Sequence, residues 1–158
     1  MPLTFAASQP DYAVGQIINM EEWNGISRVL GGSTNIPFGR VVIAGTGGEW
    51  DCAPLTAASQ NILGIARLNH VLYHEGNYYA PGDTVAIVTD GVVAVELDDD
   101  VVEGAQARVN SATGKWTDAA ASATVFTIPG AQFEYAGSGG AIGVVRFKRP
   151  VPCVSAGA

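Results

Sequence analysis

The stretch from Tyr79 to Leu97 constrains the fold more than any other part of the chain. Two runs rich in β-branched and apolar residues, Thr84–Thr89 and Val92–Leu97, flank Asp90-Gly91. Asp-Gly between such runs is a hairpin signal, because a type I′ turn needs positive φ at both central residues. A two-residue loop there sets the expected register: Val88 opposite Val93, Ala86 opposite Val95, Thr84 opposite Leu97. Ile87 with Ala94, and Val85 with Glu96, would occupy the other face. Apolar side chains on both faces put this expected hairpin inside a sandwich or barrel rather than at an open surface. Pro81-Gly82-Asp83 supplies turn chemistry ahead of it.

The remaining chain reads as short strands between turns. Ile36–Ala44 is expected as one strand, with Pro37 confined to its entrance. Trp50–Pro54, Ile62–Arg67 and His70–Tyr73 are further candidates, followed by Ala105–Asn110, Ile128–Tyr135 and Ile142–Lys148. Gly45–Glu49, Ala119–Thr124 and Gly137–Gly140 read as loops, and Asp98-Asp99-Asp100 as an acidic turn. Seven to nine short strands without an amphipathic helix of ordinary length predict an all-β protein, a small antiparallel β-sandwich or barrel of jelly-roll type. Residues 1–35 fit no regular element. Ile17, Ile18, Trp23 and Ile26 allow one irregular helical turn, interrupted by Asn24-Gly25 and by the Gly31–Asn35 run. The expected organisation is an extended N-terminal arm over 1–35, a core over 36–149 and a C-terminal tail over 150–158. Trp23, Tyr12 and the isoleucines are costly to leave in water, so the arm is expected to dock on something.

Composition narrows the function. The chain has 158 residues, enough for one domain with a core of its own. Only 15% of residues are charged and 47% are hydrophobic, which is low charge for a surface wholly in water and points to area buried against partners. A net charge of −7 argues against sequence-independent binding to nucleic acid or to an anionic membrane. No apolar run approaches the ~20 residues of a membrane-spanning helix, and the N-terminus lacks the pattern of a signal peptide. Cys52 and Cys153 follow no metal or disulfide spacing and are expected as free thiols in a reducing cytoplasm.

No catalytic constellation emerges. His70 and His74 lie four apart, but in a strand that spacing separates them by over ~10 Å, so no metal site is expected. Asp98–Asp100 with Glu96 and Glu103 lacks the spaced ligands of a calcium loop and reads as a solvated turn. Gly45–Gly48 and Gly137–Gly140 have no following Lys-Ser/Thr and no helix to hold a phosphate. No nucleophile elbow links Ser, His and Asp. The expectation is a protein that is not an enzyme and has no cofactor. Trp50, Trp116 and Tyr78 leave a carbohydrate-binding surface open as an alternative. A small trimeric β nucleotide hydrolase is a remote one, since the glycine-rich tail that closes over phosphates in that class is missing.

An ordered series of segments carries a resemblance: Ile36–Val42, Leu63–Arg67, Tyr79–Val85, Asp90–Glu96, Ile128–Phe133 and Gly143–Phe147. Over about residues 36–147 the chain resembles the head decoration, or structural cement, proteins of tailed bacteriophages. The resemblance implies a protein that assembles in the host cytoplasm and sits on the capsid exterior of the virion. There it would bind the major capsid protein, clamp neighbouring subunits and pair with itself as a homo-trimer or homo-dimer. It makes Phe5, Tyr12, Trp23 and Arg28 in the arm, with Phe38 and Arg40 at the first core strand, the expected contact residues. Arg146, Lys148 and Arg149 form a late basic cluster that would meet an acidic shell surface. Ordinary exposed charge, and for Phe38 a place in the core, are the competing readings.

Overall fold

A computed structural model of the chain describes residues 12–19, 21–58, 60–71 and 76–150. Its eleven strands are β1 (Asn24–Leu30), β2 (Ile36–Pro37), β3 (Val41–Ala44), β4 (Asp51–Pro54), β5 (Ile62–Ala66), β6 (Tyr78–Tyr79), β7 (Thr84–Glu96), β8 (Gln106–Asn110), β9 (Trp116–Thr117), β10 (Val125–Phe133) and β11 (Ile142–Lys148). No helix occurs among the described residues, and none there is long and apolar enough to cross a membrane. The all-β expectation holds.

The hairpin does not. Thr84–Glu96 is one strand of 13 residues, and Asp90-Gly91 lies within it. What changes at that point is the partner. The first half of β7 pairs with β1 and β5, and the second half pairs with β11, from Asp90 opposite Lys148 to Glu96 opposite Ile142. The register slips by one at the join, since Asn24 faces Asp90 while Gly25 faces Val88. Thr89 is therefore the extra residue of a bulge, a device that bends a strand and increases its twist. Gly91 has φ +154°, and a Cβ there would lie 3.0 Å from the Cβ of Trp23. The dipeptide thus serves a bulge and a close approach instead of a turn. The expected cross-strand pairs are corrected accordingly: Val88 faces Gly25 and Ile65, and Val93 faces Val145.

Two rings share this strand. In the first, β1 pairs in parallel with β4, and β4–β3, β3–β5, β5–β7 and β7–β1 are antiparallel, which closes a five-stranded barrel. In the second, β7 continues through β11, β10 and β8 to β9. It returns to the end of β7 through the bridge between Leu97 and Trp116. The first ring is filled by Leu30, Val42, Cys52, Leu63, Val85 and Ile87, contributed by all five strands, and Phe38 and Tyr79 close over them edge to face at 5.2 Å. The larger cluster joins the rings: Val41, Ile65 and Val88 from the first meet Val93, Trp116, Ile128, Phe133 and Phe147 from the second. At its centre Trp116 is fully buried, and its indole N–H donates to the Gly39 carbonyl at 2.8 Å. Apolar residues on both faces of β7 are explained by a strand covered on both sides, as the sequence implied.

Two further expectations change. Residues 36–44 are not one strand, because Gly39 takes φ +76° in a turn and donates to the Ala66 carbonyl. A Cβ at Gly39 would also come 2.6 Å from Val14 Cγ1. The arm expected over 1–35 contains β1, and before it Gly15, Gln16 and Ile18 exchange backbone hydrogen bonds with Ala94 and Val92 along the second half of β7. Ile18 is buried against Val92, Ala94 and Val144. Ile18 and Tyr12, two of the residues that suggested docking, thus find cover within the chain, whereas Trp23 stays exposed. His70 and Val71, expected to open a strand, lie in a turn, and the rest of that run is outside the described residues.

Candidate interaction surface

The glycine loops and the acidic turn prove to be internal fastenings. The Asp51 carboxylate accepts the Gly47 N–H at 3.0 Å, and a Cβ at Gly45 or Gly47 would lie 2.6 or 2.7 Å from its Oδ2. Asp98 accepts from Asn110 at 2.9 Å and Thr113 at 3.2 Å, Asp99 from Thr117 at 2.6 Å, and Asp100 from the Gly139 N–H at 2.9 Å. Each carboxylate holds a loop in place, which is the use that hydrogen-bonded carboxylates have in turns. Among the described residues no group of three or more His, Cys, Asp and Glu side chains is placed to hold a metal. Cys52 is buried, and that burial, with Asp51 nearby, pushes its thiol up to about 11, so it is a poor nucleophile at neutral pH. Burial also raises the Tyr79 phenol, whose O–H donates to the Arg67 carbonyl at 2.6 Å. Trp116 lies in the core, so Trp50, Trp116 and Tyr78 do not share a face for a sugar.

The expected contact residues separate into three groups. Phe5 lies outside the described residues. Phe38, Arg40 and Arg146 are used within the chain. Phe38 is 4% exposed in the first ring, so its core reading is the correct one. Arg40 is half-buried, its guanidinium donating to the Thr113 carbonyl and lying 3.5 Å from Glu96. Burial lowers its pKa while Glu96 and Asp98 act the other way. Arg146 is held on both sides. It makes a two-pronged contact with Glu21 at 2.6 and 3.0 Å and another with Glu134 at 2.9 and 2.9 Å. These hydrogen bonds raise the Arg146 pKa and lower that of Glu21. Arg146 therefore fastens the N-terminal segment to β10 and β11, with its side chain still 41% exposed. Tyr12 is half-buried against Ile18 and its neighbours.

Trp23 and Lys148 remain at the surface, and Arg28 and Arg149 are half-buried, the Arg149 N–H donating to the Thr89 carbonyl. Two cation–ring stacks stand out. The Arg67 guanidinium lies 4.8 Å from the centre of the Trp23 ring, and that of Arg28 lies 5.9 Å from the Trp50 ring. No local pattern singles out Arg67, whose partner is distant along the chain, and Trp50 was expected only as part of a sugar platform.

A double ring of strands, with Asp51, Asp98, Asp99 and Asp100 holding its loops and two aromatic–arginine stacks outside, defines an all-β module. The comparisons with known proteins agree. The chain belongs to the family described as structural cement protein (E217 gp24/Pam3 gp6), which it matches over residues 1–148, and it is a structural, capsid-associated phage protein. In fold it is similar to a chain in the structure titled "The capsid of Myoviridae Phage XM1", with a TM-score of 0.71 at 17% identity, over 96% of this chain and 100% of that one. A slighter likeness, TM-score 0.47 at 9% identity over 81% and 96%, is to the head fiber gp8.5 N base of bacteriophage phi29. No curated protein matches the chain in sequence.

Proposed function

We propose that this protein binds the outer face of the phage head and clamps neighbouring major capsid subunits, acting as a homo-trimer or homo-dimer and without nucleic acid, membrane or cofactor as partner. Its work is binding, so it needs a core that resists deformation and ends that reach adjacent subunits. The observation that carries the reading is the way residues 12–19 and Glu21 are fixed. Backbone bonds from Gly15, Gln16 and Ile18 to β7, with the Glu21–Arg146 contact, anchor this segment to the double ring. The described chain is thereby held at a set position from Tyr12 on, which suits a protein whose N-terminal arm must find a neighbouring subunit. The docking ends in this reading are residues 1–11 and the tail after Pro150, both outside the described residues.

The test is to compare the full chain with a variant lacking residues 1–11 on cognate heads assembled without the protein. The full chain should decorate them at a fixed ratio to the major capsid subunit, and the truncated chain should stay folded and lose most of its affinity. Equal decoration by both would refute the arm. A longer cut, through residue 30, is the wrong experiment, because it removes β1 and opens the first ring.

A further inference from the structure

Strand β1 has an open backbone edge. Val29 and Gly31 donate their N–H groups to the carbonyls of Trp50 and Cys52, at 2.8 and 3.1 Å, on the side away from β7. Strand periodicity directs the backbone N–H and C=O of Gly25 and Ser27 to that same side. There β4 meets β1 only at Val29 and Leu30, and no other strand stands beside Gly25 and Ser27 among the described residues. Natural proteins protect such edges with charge, proline or a covering element. Here Asn24, Gly25 and Ser27 are exposed and uncharged.

The edge is bracketed by aromatic rings. Trp23, 39% exposed, stands at its start, with its ring over Gly25, where a Cβ would lie 3.0 Å from Trp23 Cζ3. Trp50, 74% exposed, stands at its end beside the exposed Val29. From Gly25, under the Trp23 ring, to Val29, beside Trp50, the strand runs about 13 Å at ~3.3 Å per residue. Each ring carries its stacked arginine, and neither Arg67 nor Arg28 has a carboxylate within 4.0 Å among the described residues. Glu22 and Glu49, next to the tryptophans in sequence, make no ion pair with them. By contrast Arg40 and Lys115 are paired with Glu96, and Arg146 with Glu21 and Glu134. A guanidinium stacked on an indole still offers its edge N–H donors to a carboxylate.

We propose that this edge is a docking site for an extended, acid-bearing segment of the major capsid subunit, which adds to β1 as a further strand between the two tryptophan–arginine stacks. Main-chain hydrogen bonds to Gly25 and Ser27 supply affinity, and the stacks set register and select for carboxylates. The inference rests on the head-binding reading above.

Three variants test it on cognate heads assembled without the protein, each checked for folding by circular dichroism. Ser27→Pro deletes the edge donor, Trp50→Ala removes an exposed ring, and Arg67→Glu reverses a charge. Each should bind heads at least about tenfold more weakly, a change of about 1.4 kcal/mol, and Arg67→Glu should also flatten the salt dependence. The amides of Gly25 and Ser27 should exchange rapidly with solvent in the free protein and become protected on heads. Folded variants that bind as tightly as the unaltered chain would overturn the proposal. So would amides protected in the free protein, which means the chain covers its own edge, or protected by raising its concentration alone, which means a second copy does. If the unaltered chain fails to bind heads, the head-binding reading itself falls. If it binds and the variants match it, only the strand-addition site falls.

Discussion

Replacing Trp116 by Phe tests how the two rings are joined. The indole is fully buried between them, and its N–H donates to the Gly39 carbonyl, in the turn between β2 and β3, at 2.8 Å. Phenylalanine keeps an aromatic ring and removes the donor, so the buried carbonyl loses this partner at a cost of about 1–3 kcal/mol. The smaller ring also leaves a void, which costs about 24 cal/mol per Å³ where neighbours do not collapse. A total near 2–4 kcal/mol is expected. For a chain of this size that lowers the melting temperature by roughly 5–15 °C. Urea unfolding followed by far-ultraviolet circular dichroism measures it, and the slope against urea should stay unchanged, because the native fold is retained. Because the rings share β7, the variant should still unfold in one transition. Tryptophan emission gives a second readout: with Trp23 and Trp50 both exposed, the variant's native spectrum should lie further to the red. A loss below about 0.5 kcal/mol, within the range of a neutral surface change, would refute the hydrogen bond's role, and two separate transitions would refute the shared strand's.

Two more outcomes follow from the ionisable groups. Hydrogen bonding to Arg146 holds the Glu21 carboxyl below its ordinary 4.5, so the ion pair adds stability at pH values above that and loses it as pH falls through the lowered value. The protection of the Ile18 amide, taken relative to the intrinsic exchange rate at each pH, should therefore fall in acid, and Arg146→Gln should remove that dependence. Cys52 is raised from 9.0 to about 11, so its neutral thiol favours the fold below pH 9 and that contribution is lost as pH climbs through 11. In a Cys153→Ser background, thiol reagents at neutral pH should label Cys52 at the rate of unfolding, and prompt labelling of the native protein would contradict its burial.

Much of the core was legible because short apolar runs between turns have few other uses. Ile62–Ala66, Gln106–Asn110 and Ile142–Lys148 fall where alternation and flanking glycines put them. Pro81-Gly82-Asp83 is a turn, with Gly82 at φ +90° and the Ala80 N–H on Asp83 Oδ2 at 2.8 Å. Asp90-Gly91 was misread because positive φ serves a bulge as well as a hairpin, and only the partner strands decide between them. β1 escaped notice because Asn24, Gly25 and Arg28 are weak strand formers, and the pairing with β7 overrides that local preference. For the surface, residue type alone pointed to Trp23 and Arg28. It did not show the pairing of Arg146 with Glu21, 125 residues away, or the stacking of Arg67 on Trp23, which no local pattern announces.

The most direct measurement is an electron cryomicroscopy reconstruction of cognate heads incubated with the purified protein. The account requires ordered density for the double ring outside the shell, spanning the junction between adjacent major capsid subunits. Bare heads, or density confined within a single subunit or to the inner surface, would contradict it.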